Sequence, residues 1–113
     1  MPSISTERDL FTLINVFTVD TADQCRLFDL LTEATETIIR HLPGFVSASF
    51  HLSEDGRQVI NYAQWRSRND FEVMHDHPDF QPHIAECRRI ATVQPVVCRV
   101  RYTAEGTHPG AGQ

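Results

Sequence analysis

Residues 10–19, LFTLINVFTV, are rich in β-branched and aromatic types, and that pattern predicts a strand. Its faces are Phe11, Leu13, Asn15, Phe17, Val19 and Thr12, Ile14, Val16, Thr18. Both carry large apolar groups, so cover is expected on both sides. The period then changes. Leu27, Phe28, Leu31, Ala34, Thr35, Ile38 and Leu42 recur at three and four, which is one face of a helix of about five turns. Thr21 with Gln24 makes a capping box at its start, and Pro43-Gly44 ends it. Phe45 to Leu52 reads as a second strand, and Asp55-Gly56 as the hairpin turn into a third, from Gln58 to Arg66. Ser67 followed by Asp70 predicts another helix start, through Phe71 and Met74. His77-Pro78 breaks that helix, because the residue before a proline avoids helical dihedrals. Asp79 restarts it with Pro82 in the first turn, where a missing N–H costs nothing, and it continues through Ile84, Cys87 and Ile90. A last strand is expected from Val93 to Thr103.

The order is β-α-β-β-α-β, an α+β chain on the ferredoxin-like plan with its second helix broken. Helices on one face of a four-stranded sheet leave the other bare, and an uncovered apolar face calls for a partner. A homodimer whose sheets meet, a dimeric α/β barrel, is therefore expected. Residues 10–103 form the domain. The polar opening MPSISTERD, residues 1–9, and the glycine-rich tail AEGTHPGAGQ, residues 104–113, have too little apolar surface to bury and are expected to be loose.

Composition narrows the partners. The chain of 113 residues has ten basic and fifteen acidic side chains and a formal charge of −5, so it has no cationic surface for a phosphate backbone, and nucleic acid is excluded. Cys25, Cys87 and Cys98 have no short metal spacing and form an odd set, which points away from a disulfide framework and toward the cytoplasm. Glu7, Arg8 and Asp9 interrupt any signal-peptide pattern, and no apolar run approaches the roughly 20 residues of a membrane span. His75-Asp76-His77 resembles a ligand cluster, but residues i and i+2 diverge on a helix, so no metal is expected. No phosphate loop or nucleophile elbow occurs. A small molecule remains.

The stretch VINYAQW, residues 59–65, is where such a molecule could bind. On a strand Val59, Asn61, Ala63 and Trp65 share one face, and Ile60, Tyr62 and Gln64 the other. Asn61 and Trp65 are about 13 Å apart at about 3.3 Å per residue, with an indentation at Ala63 between them. An amide, a gap and an indole N–H outline a slot for a flat, oxygen-bearing ligand. Asn15 adds a second amide on a neighbouring strand. A buried amide without partners costs roughly 1–3 kcal/mol, so these amides bond to each other, to water or to a guest. An asparagine that ties down the fold and a tryptophan that is simply core are the structural alternative.

FTLINVFTV, LPGFVSASFH, VINYAQW and HPDFQPHI, spread over most of residues 10–102, resemble the antibiotic biosynthesis monooxygenase family. The similarity is nearest to its small cofactor-independent, quinone-forming members of the actinorhodin and nogalamycin polyketide pathways. The resemblance implies a dimeric ferredoxin-like fold and no cofactor. It also implies a polycyclic, anthrone-like aromatic substrate whose enolate gives an electron to dioxygen, ending in a quinone. It assigns Asn61, Trp65 and Asn15 to the reacting centre, with Phe17, Tyr62, Ala63, Phe71, Met74 and His83 as substrate contacts. His83 is of the one side-chain type that ordinarily titrates around neutral pH and is the candidate proton acceptor. Phe71 departs from the actinorhodin-type pattern, which has a tyrosine six residues after the tryptophan. Two other readings stand beside this one. Haem-degrading enzymes share the fold, although Met74 stands where their tryptophan is expected and His83 is displaced by about one residue. A non-catalytic dimer with an apolar pocket is the other.

Overall fold

The computed structural model describes residues 9–108. Central strand β1 (Phe11–Val19) is followed by α1 (Gln24–Thr37), the hairpin strands β2 (Phe45–Leu52) and β3 (Gln58–Trp65), the short helix α2 (Arg68–His75), α3 (Gln81–Ile90) and β4 (Ala91–Cys98). The sheet is antiparallel throughout, in the order β2-β3-β1-β4. This is the β-α-β-β-α-β arrangement, with its second helix divided in two. Residues 1–8 and 109–113, on which part of both expected loose ends falls, lie outside the described residues. Residues 104–108 carry no helix or strand and are exposed.

Local chemistry accounts for most boundaries. Ser67 caps α2: its Oγ accepts from the Asp70 N–H at 3.1 Å and donates to Asp70 Oδ2 at 3.0 Å. Gly44 and Gly56 are at φ +83° and +77°, in the left-handed region that turns before β2 and β3 require. At Gly44 the close packing of the Asp70 side chain leaves no room for a Cβ. Pro82 lies in the first turn of α3 as the sequence predicts.

Three expectations are corrected. Thr21 and Gln24 form no capping box: Thr21–Asp23 is a 3-10 turn, and Gln24 Nε2 donates to the carbonyls of Ser53 and Gln58 at 3.0 and 2.9 Å. Those carbonyls already accept from the Gly56 and Ser53 N–H groups of the hairpin, so the Gln24 amide adds a tie between the start of α1 and the β2–β3 turn, a tertiary contact in place of the local cap. The long first helix stops at Thr37 and is followed by a separate 3-10 turn, Ile39–His41. Thr35 and Thr37 turn their hydroxyls back onto the carbonyls of Leu31 and Glu33, a pattern that loosens a helix end. Finally, β4 ends at Cys98 rather than near Thr103. Cys98 is opposite Thr12, and β1 begins one residue earlier, so a longer β4 would have no partner strand.

The inward face of the sheet packs on the helices in two clusters. One gathers Phe17, Val19, Leu27, Leu31, Val59 and Cys87. The other gathers Trp65, Met74 and Phe80, with Phe11, Phe45 and Phe71 against it. Each fully buried large side chain contributes about 1.5–3 kcal/mol. The outward face of β1 is only partly covered. Thr12 and Gln64 are buried there, joined by a 3.2 Å bond from Gln64 Nε2 to Thr12 Oγ1, while Ile14, Val16, Ile60 and Tyr62 are half-buried. Among the described residues no helix is long and apolar enough to cross a membrane.

Candidate active site

A cavity of about 530 Å³ opens between the inward sheet face and the helices, with walls from both apolar clusters. Alternation on β1 turns Phe11, Leu13, Asn15 and Phe17 toward it, and register does the rest. Asn15 is opposite Asn61 on β3 and opposite Pro95 on β4. The cavity floor therefore carries two amides side by side, bordered by a residue that has no N–H. Proline is tolerated there because β4 is an edge strand.

The amides are not bonded to one another through Asn61 Oδ1, which is buried and has no hydrogen-bond partner among the described residues. A buried acceptor left in that state costs about 1–3 kcal/mol. The walls around the pair are almost wholly apolar: Leu31, Ala34, Phe71, Met74, Ile84 and Cys87 from the helices face Leu13 and Phe17 from the sheet. Charge gathers elsewhere in the lining, at Arg68, Glu72, Asp76 and Arg88.

Of the residues singled out from the sequence, Asn15, Asn61, Phe17, Phe71, Met74 and His83 line the cavity. Trp65 and Ala63 share the sheet face but do not. Trp65 is 1% exposed, enclosed edge-on by Phe45 and Phe71 at 5.3 and 6.2 Å between ring centres and packed with Met74 and Phe80. It forms the support behind the wall rather than the wall itself. Tyr62 projects from the opposite face of the sheet, as the alternation of β3 requires, and is outside the cavity. Burial raises its phenol above the ordinary range, with the neighbouring Cys98 adding to the effect. The polar side chain next to Asn61 in the lining is thus that of Asn15, while the indole lies outside it.

Phe11, Leu13, Cys87, Pro95 and Arg68 also line the cavity and were not singled out. The shared face of Asn15 was a sufficient signal for Phe11 and Leu13. Pro95 needed the β1–β4 register, and Cys87 and Arg68 needed the positions of the helices. Burial, and then the charge of Glu86, push the Cys87 thiol up to about 11, so it is protonated at neutral pH and is no nucleophile. His77 Nδ1 accepts from the Asp79 N–H at 3.1 Å and so closes the turn between α2 and α3. Among the described residues no group of three or more His, Cys, Asp and Glu has metal-binding geometry.

The family described as antibiotic biosynthesis monooxygenase matches residues 10–86. The chain is 52% identical over 109 residues to the tetracenomycin-F1 monooxygenase of Streptomyces glaucescens, covering 96% of this chain and 97% of that protein. SnoaB of Streptomyces nogalater, described as a cofactor-independent oxygenase, is 27% identical with a TM-score of 0.66 over 89% of this chain and 98% of its own. The ActVA-Orf6 monooxygenase of Streptomyces coelicolor, solved with nanaomycin D, is 29% identical with a TM-score of 0.66 over 84% of this chain and 92% of its own. The chain belongs to the antibiotic biosynthesis monooxygenase family.

Proposed function

We propose that this protein is a cofactor-independent monooxygenase that oxidises an anthrone-like polycyclic aromatic polyketide to a quinone with dioxygen. One observation carries the reading: two amides, paired across β1 and β3, lie at the floor of a cavity walled mainly by apolar side chains. The named activity of the Streptomyces glaucescens relative and the nanaomycin D complex of the Streptomyces coelicolor protein support the substrate class.

Dioxygen is a triplet and reacts slowly with closed-shell molecules, a barrier that oxygenases commonly overcome with a metal or flavin. An anthrone can overcome it by becoming an enolate. The methylene carbon loses a proton and the charge moves to the carbonyl oxygen, where the Nδ2 groups of Asn61 and Asn15 donate to it. In a dry, preorganised site one such donor is worth about 3–4 kcal/mol. The enolate gives one electron to dioxygen, and the resulting superoxide and ring radical combine at the former methylene carbon. The hydroperoxide, once protonated, loses water and leaves a carbonyl, so one oxygen atom ends in the quinone and the other in water. His83, in the first turn of α3, takes the methylene proton and returns it to the departing oxygen. Phe71 and Met74 hold the rings, and Trp65 holds Phe71 and Met74.

A second copy covers the outward sheet face, where Ile14, Val16, Ile60, Tyr62 and the 40%-exposed Val96 form an apolar surface around the buried, unpartnered Gln64 Oε1. Sedimentation analysis should give a dimer that Ile60→Lys dissociates. The three free cysteines fit work in the reducing cytoplasm. Oxygen uptake with an anthrone in metal- and flavin-free buffer tests the central claim. The wild type should consume one dioxygen per quinone formed, and Asn61→Ala should lose about 10²-fold in kcat. No acceleration over buffer by the wild type refutes it.

A further inference from the structure

We infer that Arg68 is a specificity residue that receives a carboxylate on the end ring of the substrate, remote from the carbon that is oxidised. This rests on the proposed function for the identity of the guest, but not for the site. Arg68 lines the cavity, and its guanidinium carbon is 4.9 Å from the centre of the Phe11 ring. Stacking of that kind holds the planar fork in place while leaving its N–H donors free. The arginine ion pairs among the described residues are Arg26–Glu86, Arg40–Glu36 and Arg89–Glu86, so the guanidinium of Arg68 has no carboxylate of the fold as partner.

Helix energetics do not explain the residue. Arg68 is the first residue of α2, where the positive end of the helix dipole opposes a cation, and the nearby Asp70 carboxylate is engaged by Ser67. Arg88 also lines the cavity, but in the last turn of α3, where a cation is favoured by the helix itself. Position supplies the rest. Phe11 is four residues from Asn15 on one strand face, about 13 Å along β1. The guanidinium therefore marks one end of the cavity and the amides its middle, a spacing suited to a few fused rings. A planar carboxylate matches the fork with two parallel hydrogen bonds, where a phenolate offers one oxygen. Gripping the acid at that end decides which ring lies over the amides. Glu72 and Asp76, also in the lining, oppose a second anionic group.

A linear anthrone bearing an end-ring carboxylate, and its methyl ester, separate the effects when each is titrated anaerobically by absorbance and then assayed by oxygen uptake. Arg68→Gln should weaken binding of the acid and raise its KM about tenfold, a reduced effect for a solvent-facing contact, while leaving the ester within about twofold. Arg68→Lys should fall between, keeping charge without the fork. Added salt should weaken the acid in the wild type more than in Arg68→Gln. Equal losses for acid and ester, or no loss for either, overturn the inference. Binding of the acid that depends on Arg68 but leads to no oxygen uptake leaves the inference standing and sinks the oxygenase reading.

Discussion

Asn61→Leu should make the protein more stable and nearly inactive. Asn61 Oδ1 is a buried acceptor with no donor among the described residues, on a side chain that lines a mainly apolar cavity. Leucine has nearly the same shape, so it removes the unsatisfied oxygen without opening a void. The released desolvation cost is about 1–3 kcal/mol; because only part of the side chain is buried, a gain of about 1–2 kcal/mol is the working figure. For a domain of this size that corresponds to a rise in Tm of roughly 4–8 °C. Urea unfolding at one fixed protein concentration is the matching measurement, since any dimer adds a concentration-dependent contribution. The same variant should lose about 10²–10³-fold in kcat by oxygen uptake, because the proposed donor to the enolate has gone. If Asn61→Leu instead loses more than about 1 kcal/mol of stability, the amide is already bonded in the resting protein. It is then a structural tie, and the case for a site prepared for a guest collapses whatever happens to activity.

Other perturbations separate support from chemistry. Trp65→Phe should destabilise by about 1–3 kcal/mol, because the indole fills the second apolar cluster, yet keep kcat within about tenfold when assayed well below its Tm; a hundredfold loss in a folded variant would return the indole to the reacting centre. Gly44→Ala should cost about 2–3 kcal/mol in chemical denaturation, since it combines a positive φ with a Cβ that meets the Asp70 side chain; a neutral result would mean that the turn before β2 relaxes freely. A thiol-specific reagent at pH 8 should modify exposed Cys25 first and spare Cys87, and peptide mapping would read the order. Cys87 is raised from 9.0 to about 11, so the folded state binds its proton more tightly than the unfolded chain does. Stability contributed by that thiol is complete below pH 9.0 and is lost as pH climbs toward about 11. The chain has no lysine, so Cys87→Val should visibly flatten the fall in that window.

What the sequence made legible was phase, and what it concealed was depth. Alternation along β1 and β3 is enough to put Asn15, Asn61 and Trp65 on one face of the sheet, because a strand has only two faces. It says nothing about how closely the helices approach each point of that face. Trp65 is opposite Phe11 at the end of β3, where α2 leaves the sheet after one short connection, and Met74 and Phe80 close over the indole. Four residues back along β3, Asn61 is opposite Asn15 in mid-sheet, where nothing from α1, α2 or α3 reaches down to fill the space. The same division explains the caps. Ser67 and Asp70 satisfy one another within a single turn, so the motif could be read locally, whereas Gln24 was claimed by carbonyls 29 and 34 residues away. It also explains Arg68. Its sequence position suggests a solvated residue at a helix start, and only the packing of Phe11 beneath its guanidinium makes it part of the cavity. Polar groups on the floor of this site are thus fixed by strand periodicity, while its walls and its charged end are fixed by helix placement. Substitutions on β1 and β3 should consequently alter rate, and those on α2 should alter which molecule is accepted.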